Sequence, residues 1–343
     1  MYYPKVSIII LNWNGLKDTL ECLESVKKSD YPNYEIILID NASKNREGEI
    51  IKSRFPELIL VQNEMNLGFA GGNNIGMRYA LKNGAYYVWL LNNDTVIESN
   101  TLSDLVAVAE KTPNAGLLSP LIYYYANPEQ IQFCGSSFDK EDLQIKYIKN
   151  LTQINMLDSR SICLWGTALF IKKTVIEGIG YLDEKFFAYH EDADYSLRAL
   201  NYGFINIIVS SAKIFHKHHY LDDEGLKHLP PHCAFYRARN DFWLWQNYFN
   251  SSQRKFSRRK YIAKTIRRAG YFQERLGKEY ANASLDGMCN ALRNIGGSWD
   301  QRVRMPNFLK TLAMCHPYLF ADLIDFNFKN IFKTIRQRKC SSF

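Results

Sequence analysis

Three carboxylates, Glu191, Asp192 and Asp194, fall within four positions of the stretch Phe-Ala-Tyr-His-Glu-Asp-Ala-Asp-Tyr-Ser-Leu-Arg at 187–198. They stand where an apolar helical pattern begins. A solvated acidic first turn, with Arg198 one turn on, would suit the helix dipole and need no chemistry. A second acid changes the weighing. Asp94 closes the segment Leu-Leu-Asn-Asn-Asp-Thr (90–95), at the end of an apolar strand pattern. One carboxylate to take a proton and another to hold a metal are the minimum for metal-assisted group transfer. Three acids crowded on one turn also repel, which raises the proton affinity of one of them.

Other residues extend this set. Asp94 with the amides of Asn92 and Asn93 beside it suits a hard Mg²⁺ or Mn²⁺ ion that keeps bonds to substrate phosphates; capping of a following helix is the alternative. Asp40 ends a wholly apolar run and can accept the imide N–H of a uracil or thymine; an Asx-turn or helix cap with Asn41 and Ser43 is the alternative. His216 follows the apolar pair Ile214-Phe215 and can offer a nitrogen to a Mn²⁺-type ion. The Gly-rich turn 68–76 lacks the G-x-G-x-x-G spacing and follows the third strand pattern, so its glycines are read as letting the backbone pass close to a ligand or a strand. No P-loop and no G-x-S-x-G elbow occurs.

The elements that would position these residues alternate through the first half. Strand patterns over 6–11, 34–39, 57–61 and 86–91 are separated by helical patterns, the first carried by Leu16, Leu20, Leu23 and Val26. Repeated strand–helix units predict an α/β fold with a mostly parallel sheet and helices on both faces. Ligands of such sheets sit beyond the carboxyl ends of the strands. Asn12, Asp40, Asn63 and Asp94 all lie there and are expected to share one crevice. After 113 the pattern loosens, with strand runs at 117–125, 131–138, 162–171, 204–209 and 212–219 around an acidic helix at 190–202. A boundary is expected near 220–230, dividing a domain at 1–222 from a mainly helical, aromatic and basic region at 223–343.

The net charge of +8 is concentrated. Arg254, Lys255, Arg258, Arg259, Lys260, Lys264, Arg267 and Arg268 place eight positive charges in fifteen residues, and Lys329, Lys333, Arg336, Arg338 and Lys339 follow. Such runs attract polyanions, or else form a solvated helix face. No nucleic-acid motif accompanies them. The seven cysteines are scattered and never spaced C-x-x-C, which points to a reducing compartment and away from zinc or disulfides. No leader is evident, and the longest apolar runs fall far short of the ~18 residues of a membrane span. The expectation is a cytoplasmic protein, peripheral on the inner face of the cytoplasmic membrane.

Six segments, taken in order, resemble the inverting glycosyltransferases of family 2 with the GT-A fold, and within them the rhamnosyltransferase-like branch. They are 6–15 (Val-Ser-Ile-Ile-Ile-Leu-Asn-Trp-Asn-Gly), 36–43 (Ile-Ile-Leu-Ile-Asp-Asn-Ala-Ser), 66–74 (Asn-Leu-Gly-Phe-Ala-Gly-Gly-Asn-Asn), 90–95, 165–168 (Trp-Gly-Thr-Ala) and 186–194. The likeness spans about 1–220. It implies that Asp40 reads the base of a nucleotide-sugar, with Asn12 and Asn66 nearby. Gly72, Asn73, Asn93 and Gly166, in the matching segments, would also line the donor. It implies that Asp94 holds a divalent metal on the diphosphate, with His216 as a further ligand. Asp192 would be the general base toward an acceptor hydroxyl, with Glu191 positioning acceptor or sugar. Arg239-Asn240 resembles a pair that faces the diphosphate. The chain departs from the common D-x-D pattern by carrying Asn92-Asn93-Asp94, so the diphosphate itself would complete the metal's coordination. The acceptor would be a glycan or a polyprenyl-diphosphate-linked glycan, and the basic C-terminal part would dock on an anionic membrane. A catalytically silent nucleotide-sugar- or carbohydrate-binding module is the competing reading. A sugar-phosphate nucleotidyltransferase would need a Gly-rich basic loop after the first strand, where this chain has Asn12-Trp13-Asn14-Gly15.

Overall fold

The structure is a computed structural model that describes residues 3–139, 144–148, 150, 152, 162–217, 230–248, 251–317, 319–321 and 323–324. The chain divides into two compact units, Met1–His219 and Tyr220–Phe343.

The first unit opens with β1 (Val6–Asn12), α1 (Leu16–Val26), β2 (Tyr34–Asp40), α2 (Glu47–Arg54), β3 (Ile59–Gln62), α3 (Gly68–Lys82) and β4 (Tyr87–Asn92). It continues through β5 (Thr95–Ile97), α4 (Thr101–Lys111), β6 (Ala115–Tyr124), β7 (Asn127–Phe133), β8 (Ser136–Asp139), β9 (Gln144–Tyr147), β10 (Ile162–Cys163) and β11 (Ala168–Lys172). It closes with α5 (Lys173–Ile179), α6 (Glu191–Tyr202) and β12 (Ile205–His216). The large sheet runs β3-β2-β1-β4-β11-β6-β12-β5, with β7 on β6, and a small sheet runs β10-β8-β9. Strands β3, β2, β1 and β4 are mutually parallel, as are β6 and β12, while β11 enters antiparallel between β4 and β6.

The run Ile8-Ile9-Ile10 shows why β1 is apolar throughout. Ile8 and Ile10 enter a core with α1, α2 and α4, and Ile9 enters another with α3, α5 and α6. A strand covered on both faces reads as a continuous apolar run, not an alternating one. The expected α/β architecture is present. Chain order reverses beside β1, with β2 on one side and β4 on the other, and such switch points are where sheets of this kind take ligands at the strand ends.

Several boundaries differ from the sequence reading. The segment after Asp94 is strand β5, not a helix, so Asp94 is not a helix cap. The run 131–138 is broken at Gly135, whose φ of +115° ends β7 before β8 begins. The run 162–171 is broken at 164–167. The runs 204–209 and 212–219 are joined in one strand, β12 (Ile205–His216), with a register shift between Val209 and Lys213, and residues 218–219 lie outside the described residues.

The second unit is helical: α7 (Pro231–Tyr248), α8 (Ser251–Arg275), α9 (Lys278–Leu292) and α10 (Asn307–Cys315). The basic run lies on α8, and the basic cluster at 329–339 lies outside the described residues. Arg268 of α8 pairs with Asp241 at 3.1 Å. Among the described residues no helix is long and apolar enough to cross a membrane, and Cys22, Cys134, Cys163, Cys233, Cys289 and Cys315 are free thiols.

Candidate active site

The strand ends are tied together by asparagines. Asn12, fully buried at the end of β1, directs Nδ2 to Asp40 Oδ1 (3.2 Å), Ser43 Oγ (2.9 Å) and Glu47 Oε2 (3.0 Å). Its Oδ1 accepts the Thr19 hydroxyl at 2.7 Å, and Thr19 Oγ1 accepts Asn93 Nδ2 at 2.8 Å. A continuous polar chain therefore joins Asp40, Asn12 and Asn93 across three strands. Gly15 is pressed against this chain, since a Cβ there would lie 2.4 Å from Asn93 Nδ2.

Asn41 is the hub that sequence reasoning left as a turn residue. Its Nδ2 reaches Asn66 Oδ1 (2.8 Å) and Gly68 O (3.1 Å), and its Oδ1 accepts Asn63 Nδ2 (3.0 Å) and the Leu67 amide (3.1 Å). It pins the start of α3 to the end of β2. The run read as a Gly-rich turn at 68–76 is the first half of helix α3, and its glycines serve packing: a Cβ at Gly72 would meet Leu11 at 2.5 Å, and one at Gly76 would meet Ile9 at 2.7 Å. Asn73 bonds back to Phe69 O at 2.9 Å. Gly68 has φ +73°, and a Cβ there would lie 2.4 Å from Phe187 O. The start of α3 thus touches the segment that leads into α6.

That segment is held in unusual backbone. Phe187, Tyr189 and His190 all have positive φ, between 63° and 71°. Non-glycine residues there are strained and persist only where the surroundings over-determine them. They deliver Glu191, Asp192 and Asp194 to the start of α6. Asp194 is buried and pairs with Arg198 at 2.8 Å, and Arg198 also donates to Ile179 O and Tyr181 O. Asp192 is half-buried. Its Oδ2 accepts the Gly166 amide at 2.8 Å and its Oδ1 the Ala193 amide at 2.7 Å. Burial raises its pKa, and the two amides, which favour the anion, pull against that rise. Glu191 is buried, and its Oε2 has no hydrogen-bond partner among the described residues. Desolvation, then the neighbouring Asp192 charge, holds its pKa well above the usual carboxylate range.

The break at 164–167 now has a purpose. Gly166 brings its amide to Asp192, and a Cβ there would meet the Phe69 ring at 2.9 Å. Thr167 O accepts the Asn92 amide at 2.9 Å, which ties the turn to the end of β4. Trp165 stacks on Phe133 with ring centroids 3.8 Å apart.

On the other side, β5 and β12 bring Asp94 and His216 together. His216 Nε2 lies 3.3 Å from Asp94 Oδ1, with the two side chains 6% and 20% exposed, imidazole and carboxylate respectively. His216 Nδ1 meets Gln132 Oε1 of β7 at 2.7 Å. With Nδ1 donating to that oxygen, the Nε2 lone pair faces the carboxylate. Two lone-pair atoms so placed could share a divalent cation. A partner on the distal nitrogen is the usual support of a metal-binding histidine. Among the described residues no group of three or more His, Cys, Asp or Glu could hold a metal. The pair therefore fits an ion that takes its remaining ligands from phosphate and water, as Mg²⁺ and Mn²⁺ do. Gln132 stands 84 residues from His216 on an antiparallel strand, and no local motif announces it.

Arg239 stands in the second unit, fully buried. Its guanidinium donates to Asn240 Oδ1 (2.9 Å) and Gly297 O (2.6 Å) among the rings of Phe235, Tyr236 and Trp243. Burial lowers its pKa to about 10.

The model of the family described as glycosyl transferase family 2 matches residues 7–180. The chain belongs to that family. Among curated relatives, the transferase is similar to the dTDP-rhamnosyl transferase RfbF of Shigella flexneri, 26% identical over 247 residues, covering 69% of this chain and 78% of the relative. It is similar also to the N-acetylglucosaminyl-diphospho-decaprenol L-rhamnosyltransferase of Mycobacterium tuberculosis, 25% identical over 224 residues, covering 57% and 71%. Among solved structures, S. aureus TarS in complex with UDP-GlcNAc matches with a TM-score of 0.54 at 16% identity, covering 85% of this chain and 81% of that one. The mannosyltransferase PcManGT of Pyrobaculum calidifontis, in complex with GDP-Man and Mn²⁺, matches with a TM-score of 0.52 at 16% identity, covering 96% and 89%. These structures share the fold of the transferase.

Proposed function

We propose that this glycosyltransferase moves a sugar, with inversion and with Mn²⁺ or Mg²⁺, from a UDP- or dTDP-linked donor to a hydroxyl of a glycan or polyprenyl-diphosphate-linked acceptor in surface polysaccharide synthesis. The observation that carries the reading is the Asp192 carboxylate, half-buried, oriented by two main-chain amides and raised in pKa by burial. The two amides favour the anion, while burial raises its affinity for a hydroxyl proton.

The residues divide the work. Asp40 accepts from the base, held at its post by Asn12. Asn66, Asn73 and Asn93 fix the walls of the donor crevice, and Gly72 lets α3 close on β1. Asp94 and His216 would hold the divalent ion, which would supply positive charge against that developing on the departing diphosphate. Asp192 takes the acceptor proton as the acceptor oxygen attacks from the face opposite the leaving group. A single carboxylate suffices for one inverting displacement, whereas a glycosidase flanks the bond with two. Glu191, whose proton affinity is raised by burial and by the Asp192 charge, positions the acceptor or sugar.

The dTDP- or UDP-linked donor and the lipid-linked acceptor are favoured by the names of the two rhamnosyltransferase relatives and by the UDP-GlcNAc bound to TarS. The Mn²⁺ in PcManGT favours the metal. We assign residues 1–222 to transfer and 223–343 to acceptor and membrane association on the inner face of the cytoplasmic membrane. Support for the latter is the basic helix α8 together with the exposed Phe308, Leu319 and Leu323.

The test is release of nucleoside diphosphate from a panel of UDP-, dTDP- and GDP-sugars with Mg²⁺ or Mn²⁺. One donor should be turned over. Asp192→Asn should lower transfer by about 10²–10⁴-fold while leaving nucleotide binding intact. A chain that binds nucleotide but releases nothing with any acceptor would be the silent binding module instead.

A further inference from the structure

Beside the Asp94–His216 pair stands a charged cluster that the mechanism does not use. Lys217 follows His216 at the end of β12. Its Nζ donates to Asp18 Oδ1 at 2.9 Å and to Glu21 Oε2 at 2.6 Å, both on α1. The Tyr125 hydroxyl donates to Glu21 Oε1 at 2.6 Å, and the Lys217 ammonium lies 5.4 Å from the centre of the Tyr125 ring. The main chain around His216 is bonded on both sides: Tyr125 N donates to His216 O at 3.0 Å, and Lys217 N donates to Asp94 O at 2.9 Å. Lys217 is only 15% exposed, against 45% and 40% for the two acids.

We infer that Lys217, locked to Asp18 and Glu21 and flanked by Tyr125, is a positioning residue that fixes the His216 imidazole against Asp94 and thereby sets the affinity of the metal seat. The inference rests on the metal reading of Asp94 and His216. Its logic is mechanical. Pairing with Thr95 of β5 and Tyr124 of β6 fixes the His216 main chain, but β12 ends there, so the chain just beyond it needs a hold of its own. The ammonium of the next residue supplies that hold from a different element. It spans from the β12 end to α1, the helix whose Thr19 also anchors Asn12 and Asn93. One helix thus braces the donor wall and the metal wall together. Two carboxylates on one ammonium give it a single preferred position, which an isolated surface pair does not.

The test is uptake of Mn²⁺ by the full chain, read as loss of the free-ion electron paramagnetic resonance signal, with excess UDP and separately with excess dTDP. Wild type should take up one ion per chain in at least one arm, and His216→Ala should abolish it. Lys217→Met should need roughly tenfold more Mn²⁺, the lower end of the range for residues behind a ligand. Lys217→Arg should restore most of the affinity. Asp18→Asn with Glu21→Gln should reproduce the Lys217→Met loss and add nothing when combined with it, as partners in one interaction do. Melting temperatures without metal separate a loosened seat from a loosened fold: the affinity loss should exceed anything the melting shift explains. If His216→Ala leaves uptake unchanged, the metal reading falls and the brace with it. If His216→Ala abolishes uptake but Lys217→Met matches wild type, the brace alone is overturned.

Discussion

Glu191 and Asp192 are neighbours in sequence with different surroundings, and their difference is testable by pH. Asp192 has two amides on its carboxylate, and Glu191 leaves Oε2 bare among the described residues. Asp192 therefore ionises first while Glu191 keeps its proton. The acid limb of kcat/KM should have its midpoint above the ordinary aspartate range, because burial raises the Asp192 pKa. Glu191→Gln, which copies the protonated form, should leave that midpoint in place. Its effect on stability has a definite sign. A group with a raised folded-state pKa gives its full contribution below its unfolded pKa and loses it as pH rises through the folded value. Glutamine never loses it. Urea denaturation should find the variant more stable than wild type near pH 8, on the order of 1 kcal/mol. The two should be equal near pH 4, below the ~4.3 of an unfolded glutamate. A variant less stable at both pH values would show that Glu191 is ionised and paired.

At the scale of elements, the approach of α3 to the 187–190 segment should be intolerant of bulk. Gly68→Ala puts a side chain at a positive φ and against a main-chain oxygen that cannot turn aside. A stability loss of about 1–3 kcal/mol in urea denaturation is expected. Turnover should fall with it, since the same segment carries the acids of α6. The elements were legible to the extent that their apolar residues were periodic or continuous. β1 and β2 read as isoleucine-rich runs and β4 as the apolar run Val88–Leu91, and α1 as a repeat of Leu16, Leu20, Leu23 and Val26. What failed to show was any element defined by its partner. β12 was read as two strands because Ser210 and Ser211 interrupt its apolar run, yet the chain passes through them with a register shift. β7 and β8 were read as one strand because composition does not register the positive φ of Gly135. The same holds for the site. Asp40, Asp94 and Asp192 stood out as acids after apolar runs or at a helix start. Asn41, Thr19, Gln132 and Lys217 did not, because each gains its place from a residue more than 20 positions distant or on another element.

For the whole molecule, the charge is the feature that asks for a partner. The second unit combines the basic helix α8 with exposed Phe308, Leu319 and Leu323. Apolar side chains beside basic ones suit an interface of anionic headgroups, where each lysine or arginine adds ~1 kcal/mol. The full chain should sediment with vesicles containing anionic lipid and not with purely zwitterionic ones. Phe308→Asp with Leu319→Asp should weaken that binding severalfold while leaving donor hydrolysis in solution unchanged. Equal sedimentation with both vesicle types would remove the membrane from the account.

The amide that Gly166 offers to Asp192 belongs to the main chain. Side chains around an acid drift over generations, and each exchange retunes its proton affinity. A peptide N–H is outside that drift, because nineteen of the twenty residues carry it and only proline lacks it. The N–H at position 166 outlasts every exchange but proline, yet its aim does not: a Cβ there would lie 2.9 Å from the Phe69 ring, so it is the room left for a hydrogen that keeps the amide on Asp192. A lineage that altered its sugar or acceptor could rebuild the surrounding loops without rebuilding the means by which it moves a proton.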